Sequence, residues 1–239
     1  MHLGDATWVD IERARSRSDD GTLAPIVLIP IGSTEQHGPH LPMRTDTLIA
    51  EEIAGRAVHH TDGLVVGPTI AVSASGEHAG FPGTLSIGTA TTSAMVIELV
   101  RSADWAAGVV LVNGHGGNHA AITAAVETLG GEGRHALAWW PKRPRRRDGG
   151  PADLHAGWIE TSLMLAIDPG LVRLELAAAG PNASIDDLRE RGVRAVSPTG
   201  VLGDPDGASG RDGERLITAF VEDLVHQIER WRPIDAAPA

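Results

Sequence analysis

Pro25-Ile26-Val27-Leu28-Ile29-Pro30-Ile31-Gly32 is the stretch that decides the fold. It carries no charge or polar side chain, is rich in β-branched residues and stops at a glycine. That is the pattern of a strand buried on both faces, since a half-buried strand would alternate apolar with polar. Working outward, Leu64 to Val66 and Val109 to Val112 repeat the pattern in shorter form, and a further strand is predicted to end at Trp139-Trp140. Between them the apolar spacing turns helical. Helices are predicted from Thr45 or Asp46 through Val58, from about Thr92 to Ala107, from Asn118 as N-cap to about Leu129, over Trp158 to Ile167 ahead of Pro169, and from about Asp212 to Trp231. A short amphipathic segment around Trp8, Val9 and Ile11 precedes a loose loop over Arg13 to Gly21, and the final Pro-Ile-Asp-Ala-Ala-Pro-Ala is expected to fray. Alternating strands and helices predict an α/β fold, a three-layer sandwich around a mainly parallel central sheet, with residues 1–239 forming a single domain.

Composition narrows the function. A formal net charge of −11 repels phosphate backbones and anionic lipid, which argues against nucleic-acid or membrane binding by the whole domain. Zero cysteines exclude disulfides, thiolate metal sites and a cysteine nucleophile, so any metal must sit on imidazole and carboxylate. No segment reads as a signal peptide or a bilayer span, and a cytoplasmic location is expected. One basic cluster departs from the acidic background: Lys142, Arg143, Arg145, Arg146 and Arg147 lie among Pro and Gly. It reads as an exposed, solvated loop, with docking of a peptide carboxylate or a neighbouring subunit as the alternative.

Chemistry concentrates where strands end. In a parallel sheet the loops beyond the carboxyl ends of the strands form the ligand crevice. The first such loop, Gly32-Ser33-Thr34-Glu35-Gln36-His37-Gly38-Pro39-His40-Leu41-Pro42, brings Glu35 and His37 two residues apart, and Asp46 follows at the next helix start. The third strand delivers His115 within Asn113-Gly114-His115-Gly116-Gly117-Asn118. Two histidines with two or three carboxylates suit Zn²⁺, Mn²⁺ or Fe²⁺. A third piece is His155-Ala156-Gly157-Trp158-Ile159-Glu160, where Glu160 falls in the first helical turn and either joins the cluster or caps backbone amides. His40 is a candidate for orienting the first loop from behind. Glu77 and His78 lie in a Gly- and Ser-rich loop that either lines a pocket or is held by its own backbone bonds. Of Trp139 and Trp140, one is expected to pack in the core and the other, Trp140, to wall the pocket.

These motifs, together with Phe81-Pro82-Gly83-Thr84 and Glu160-Thr161-Ser162, resemble the creatininase (creatinine amidohydrolase) family, in family order over roughly residues 25 to 205. Ser75-Gly76-Glu77-His78, Ser86-Ile87-Gly88-Thr89, Ala195-Val196-Ser197 and Thr199 to Pro205 are most similar to the mycofactocin-system branch of that family. The resemblance implies a creatininase-like sandwich, a binuclear site with Asp46 bridging two ions, Glu35 and His115 on one and His37 on the other, and a homo-oligomer such as a hexameric ring. It also implies Glu160 as a ligand, because creatininase itself has a Glu two residues beyond its histidine where this sequence has Gly117. His155 matches a substrate-contacting histidine and is expected to serve as acid/base or clamp, with a helix-capping role as the alternative; Ser75 matches a substrate contact. The implied activity is removal of a C-terminal Val-Tyr dipeptide from a small modified peptide by water activated between the ions. Hydrolysis of a small cyclic amide or formamide is the second reading, and a catalytically inactive metal-binding scaffold the third.

Overall fold

A computed structural model of the protein describes residues 1–16, 24–144 and 153–232. The predicted loop beyond Ser16, the basic residues Arg145, Arg146 and Arg147, and the predicted frayed tail from Pro233 lie outside the described residues. The decisive apolar stretch forms β1 (Ile26–Ile31), buried at every position. It lies between β2 (Leu64–Val66) and β3 (Gly108–Asn113), and β3 is flanked by β4 (Ala136–Trp139), giving the order β2-β1-β3-β4. All three pairings are parallel, with Ile26 opposite Leu64 and Gly108, and Val112 opposite Trp139. Pro30 is tolerated in this central strand because β2 has ended at Val66, so the strand needs no ladder donor on that side.

Period-two alternation distributes the strand side chains to two apolar faces. Ile26, Leu28, Val110 and Val112 face α2 (Thr45–Ala57), α5 (Trp158–Ile167) and α8 (Gly210–Trp231), packing with Ile49, Ile53, Leu163, Ile217 and Leu224. Val27, Ile29, Ile31 and Leu111 face α3 (Gly88–Arg101) and α4 (His119–Gly131), meeting Val96, Val100, Ile122 and Leu129. Each fully buried aliphatic side chain contributes about 1.5–3 kcal/mol, so the sheet is anchored from both sides. The remaining α-helices among the described residues are α1 (Trp8–Ser16), α6 (Ile185–Arg191) and α7 (Val193–Val196).

Several expectations need correction. Residues 13–16, predicted as loop, continue α1, whose Trp8 is 78% exposed. The third helix begins at Gly88 and ends at Arg101, whereas the sequence placed it over Thr92 to Ala107. Thr89, Thr91 and Thr92 masked its start, and Ala103 to Ala107 form turns that lead into β3 at Gly108. Asn118 precedes α4 without capping it. Its side chain accepts from Ala74 N and donates to Gly32 O and Asn113 Oδ1, tying three loops together.

The fold positions the site through two close approaches. A Cβ on Gly32 would lie 2.3 Å from Thr47 Cα, and one on Gly114 would lie 2.4 Å from Asp46 O. The first turn of α2 is therefore wedged between the ends of β1 and β3, which only glycines permit. Thr47 Oγ1 donates to Ser33 O at 2.8 Å and fastens it there.

Candidate active site

Glu35, His37, Asp46, His115, His155 and Glu160 converge at this edge, all buried. Asp46, in the first turn of α2 where the helix dipole favours a carboxylate, is the centre. Its Oδ1 is 3.1 Å from His37 Nε2, and its Oδ2 is 3.0 Å from His115 Nδ1 and accepts from Ser33 Oγ at 2.8 Å. Glu35 lies beside it, with Oε2 3.2 Å from His115 Nε2 and Oε1 3.3 Å from His78 Nε2, yet neither oxygen makes a hydrogen bond of acceptable geometry. On the other side Glu160 Oε2 lies 3.9 Å from His37 Nε2.

The imidazoles are oriented from behind by backbone carbonyls. His37 Nδ1 donates to Glu35 O (3.2 Å), His115 Nε2 to Ala74 O (2.9 Å) and His155 Nε2 to Gln36 O (2.7 Å). Each ring thus turns its other nitrogen toward the carboxylates, the arrangement in which histidines hold metals. His78 differs. Gly38 N donates to Gln36 Oε1, which fixes Gln36 Nε2 as the amide donor to His78 Nδ1 at 2.8 Å. The proton of neutral His78 therefore sits on Nε2 and faces Glu35.

Charge follows from this packing. Burial alone would depress His37 and His115, but Asp46 outweighs it for the first and Glu35 with Asp46 for the second, raising them to about 9 and about 10. Burial would raise Asp46, but the two histidines hold it well below the usual carboxylate range. Glu35 is pushed up to about 7 by burial. His155 is lowered to about 3 and His78 is lowered further, by burial first and then by neighbouring imidazoles, so both are neutral. Protons on His37 and His115 here balance the carboxylates as cations would.

Ligand atoms of Glu35, Asp46 and His115 lie within 4.8 Å of one another, as do those of His37, His155 and Glu160, and those of Glu35, His78 and His155. The donor set, imidazole and carboxylate only, suits Zn²⁺, Mn²⁺ or Fe²⁺. Two buried Glu35 oxygens without hydrogen bonds add to the fit.

Of the predicted pocket residues, Ser75 Oγ and Glu77 Oε1 both lie 3.5 Å from His115 Nε2, and His78 sits against Glu35. Trp140 directly follows the last residue of β4. It lies over the exposed His119 ring, centroids 4.6 Å apart, and packs with the α3–α4 face, because strand alternation turns Trp139 into the opposite core. His40 stands behind α5, with Nε2 3.0 Å from Thr161 Oγ1.

Glu160 accepts from backbone, Ala156 N to Oε2 at 2.6 Å, and its Oε1 accepts from Arg143 Nη2 at 2.5 Å, a pairing the sequence did not suggest. Arg143 stands on the exposed loop that the sequence predicted, but its guanidinium turns inward onto this carboxylate. Its Nη1 also donates to Asp153 O and Leu154 O, and it holds Glu160 below its ordinary value against the opposing effect of burial. Ala156 has φ 53°, a conformation rare outside glycine and common at functional sites. It sits between His155, which pairs with Leu202, and the helix that carries Glu160. Sequence reasoning also missed Gln36, whose amide bridges His78 and Gly200 O.

A parallel sheet with imidazoles and carboxylates gathered beyond its carboxyl edge defines a hydrolase-type scaffold, and comparison identifies which. The family model described as Creatininase: Creatinine amidohydrolase matches residues 4–228, and the chain belongs to the creatininase family. It is 46% identical over 222 residues, 89% of this chain and 87% of the relative, to a mycofactocin precursor peptide peptidase of Mycolicibacterium smegmatis. A creatininase variant superposes with a TM-score of 0.82 at 28% identity, covering 97% of this chain and 99% of that one. A Zn-Zn type creatininase variant superposes at 0.80 with 26% identity over 97% and 98% of the two chains.

Proposed function

We propose that this chain is a peptidase that uses two divalent ions, zinc, iron or manganese, to hydrolyse an amide bond near the C-terminus of a small modified peptide. Asp46 would be shared, with Glu35 and His115 on one ion and His37 and Glu160 on the other. The observation that carries the reading is the backbone anchoring of His37, His115 and His155, each turning its second nitrogen toward a shared set of carboxylates. When bound, such ions acidify a water molecule and polarise the scissile carbonyl.

The chain's own groups supply the rest. His155, neutral and with its proton held on Nε2 by Gln36 O, presents a bare Nδ1 that accepts a proton and passes it to the departing amine. The tilted stacking of its ring on His37, centroids 4.3 Å apart, keeps that nitrogen beside the carboxylates. Ser75, Glu77 and His78 form the wall where the peptide backbone docks, and His78 offers Nε2–H as a donor. The identity to a precursor peptide peptidase favours a peptide, and release of Val-Tyr is the specific reaction that the family resemblance implies. The same reading takes residues 1–239 as one domain, active as a homo-oligomer such as a hexameric ring in the cytoplasm. Among the described residues no helix is long and apolar enough to cross a membrane.

The test is to incubate metal-loaded protein with the modified precursor peptide, with creatinine and with a formamidopyrimidine, and to follow products by mass spectrometry. Loss of a C-terminal dipeptide is expected. Turnover of the small amides alone would replace the peptide reading. An absence of any turnover, unaltered by Glu35→Gln or His37→Ala, would leave a binding scaffold.

A further inference from the structure

Gly116 and Gly117 are neighbours with opposite surroundings. A Cβ on Gly116 would meet nothing within 4 Å, whereas one on Gly117 would fall 2.1 Å from Glu77 Oε1, 2.4 Å from His115 Nε2 and 2.6 Å from Ala74 O. The space that a side chain at position 117 would fill is thus the point where a carboxylate, an imidazole nitrogen and a carbonyl meet. Glu77 reaches it from the short 3₁₀ helix Gly76–His78, with Oε1 3.5 Å from His115 Nε2 and a side chain 29% exposed. The nearest oxygen to that nitrogen, Ala74 O at 2.9 Å, is a carbonyl that can only accept, with Glu35 Oε2 at 3.2 Å and Ser75 Oγ and Glu77 Oε1 at 3.5 Å further out. Nε2 therefore carries the proton, and Nδ1, on the Asp46 side, is the nitrogen left for an ion.

We propose that Glu77 is a positioning residue for the metal centre, its carboxylate placed behind His115 in the slot that Gly117 leaves open, so that its charge reinforces the Nε2–H tautomer that Ala74 O fixes and makes Nδ1 a stronger ligand. A carboxylate behind a metal-bound histidine raises the basicity of the ring, and its loss costs about 10- to 100-fold in metal affinity. The inference rests on the reading of His115 as a ligand given above. It assigns Glu77 a role through His115, in addition to the wall it forms for the peptide.

The test measures dissociation constants for Zn²⁺ and Co²⁺ on the full-length protein by competition with a chromophoric chelator, independently of turnover. Glu77→Gln is expected to weaken one of the two ions about 10- to 100-fold and to leave the other within about twofold. Glu77→Asp should recover most of the loss. Gly117→Ala should weaken the same ion at least as much, and Gly116→Ala should match the wild type. In the Co²⁺-loaded protein, Glu77→Gln should move one exchangeable, hyperfine-shifted imidazole N–H resonance, a change readable even where affinities shift little. Unchanged affinities and an unmoved resonance in Glu77→Gln overturn the proposal. So does retained affinity with a lost kcat and an altered pH profile, which would place Glu77 in proton transfer instead. A wild type that takes up no metal removes the underlying reading of the site, an outcome distinct from the others.

Discussion

The two halves of the polar cluster are built on different foundations. Glu35, Asp46 and His115 stand on the ends of adjacent central strands and on a helix turn wedged between them by Gly32 and Gly114. Their geometry is set by the same sheet that buries Ile26, Leu28 and Val110. His155 and Glu160 come from outside the sheet, through a strained Ala156, a pairing with Leu202 and the ion pair of Glu160 with Arg143. The first half is fixed by the core. The second depends on hydrogen bonds and ion pairs, so the ion that Glu160 would share with His37 should be the weaker one and the easier to disturb.

The substitution with the largest expected effect removes what the halves share. Asp46→Asn should release both ions and lower kcat by about a thousandfold or more, as for residues that act as a unit; metal content and single-turnover rates measure it. Glu160→Gln should separate the halves: metal analysis is expected to find one ion retained and one lost. Loss of both would mean that the second half supports the first.

Charge in the metal-free protein makes its stability depend on pH. His37 and His115, raised to about 9 and about 10, contribute stability that is complete below their unfolded value near 6.5 and lost as pH rises through 9 to 10. Glu35, raised to about 7, loses its contribution between 4.5 and 7. Asp46 and Glu160, both lowered, contribute above their ordinary values of 3.8 and 4.5 and lose that contribution in acid. His78 and His155, both lowered, contribute above their ordinary value of 6.5 and lose that contribution in acid, so thermal unfolding in chelator should show greatest stability near pH 6.5 and a decline toward pH 10. Added metal should restore the alkaline side, because bound ligands are already deprotonated. A metal-free protein most stable at pH 9 would contradict the assignment of charge. The smallest effect belongs to Arg143→Gln, expected to cost the second ion about tenfold in affinity and the first nothing, by chelator competition.

Much of this was legible in the sequence, for physical reasons. The strands announced themselves because burial on both faces demands unbroken apolar runs, and Glu35, His37, Asp46 and His115 stood out because such residues at strand ends have no packing reason to be there. Arg143 was hidden in a basic, Pro-rich stretch whose composition resembles any solvated loop. Gln36 was hidden because its function depends on His78 and on Gly200, 164 residues away. Asn118 misled because an Asn before a helix usually caps it, whereas here tertiary contacts to Gly32, Ala74 and Asn113 claimed the side chain.

Anomalous diffraction from crystals of the zinc-loaded protein would address the pair of ions most directly. Two peaks are expected, one within about 2.0–2.2 Å of oxygen and nitrogen ligands from Glu35, Asp46 and His115, the other similarly close to Asp46, His37 and Glu160. A lone peak away from Asp46, or no peak at this edge of the sheet, would contradict the account.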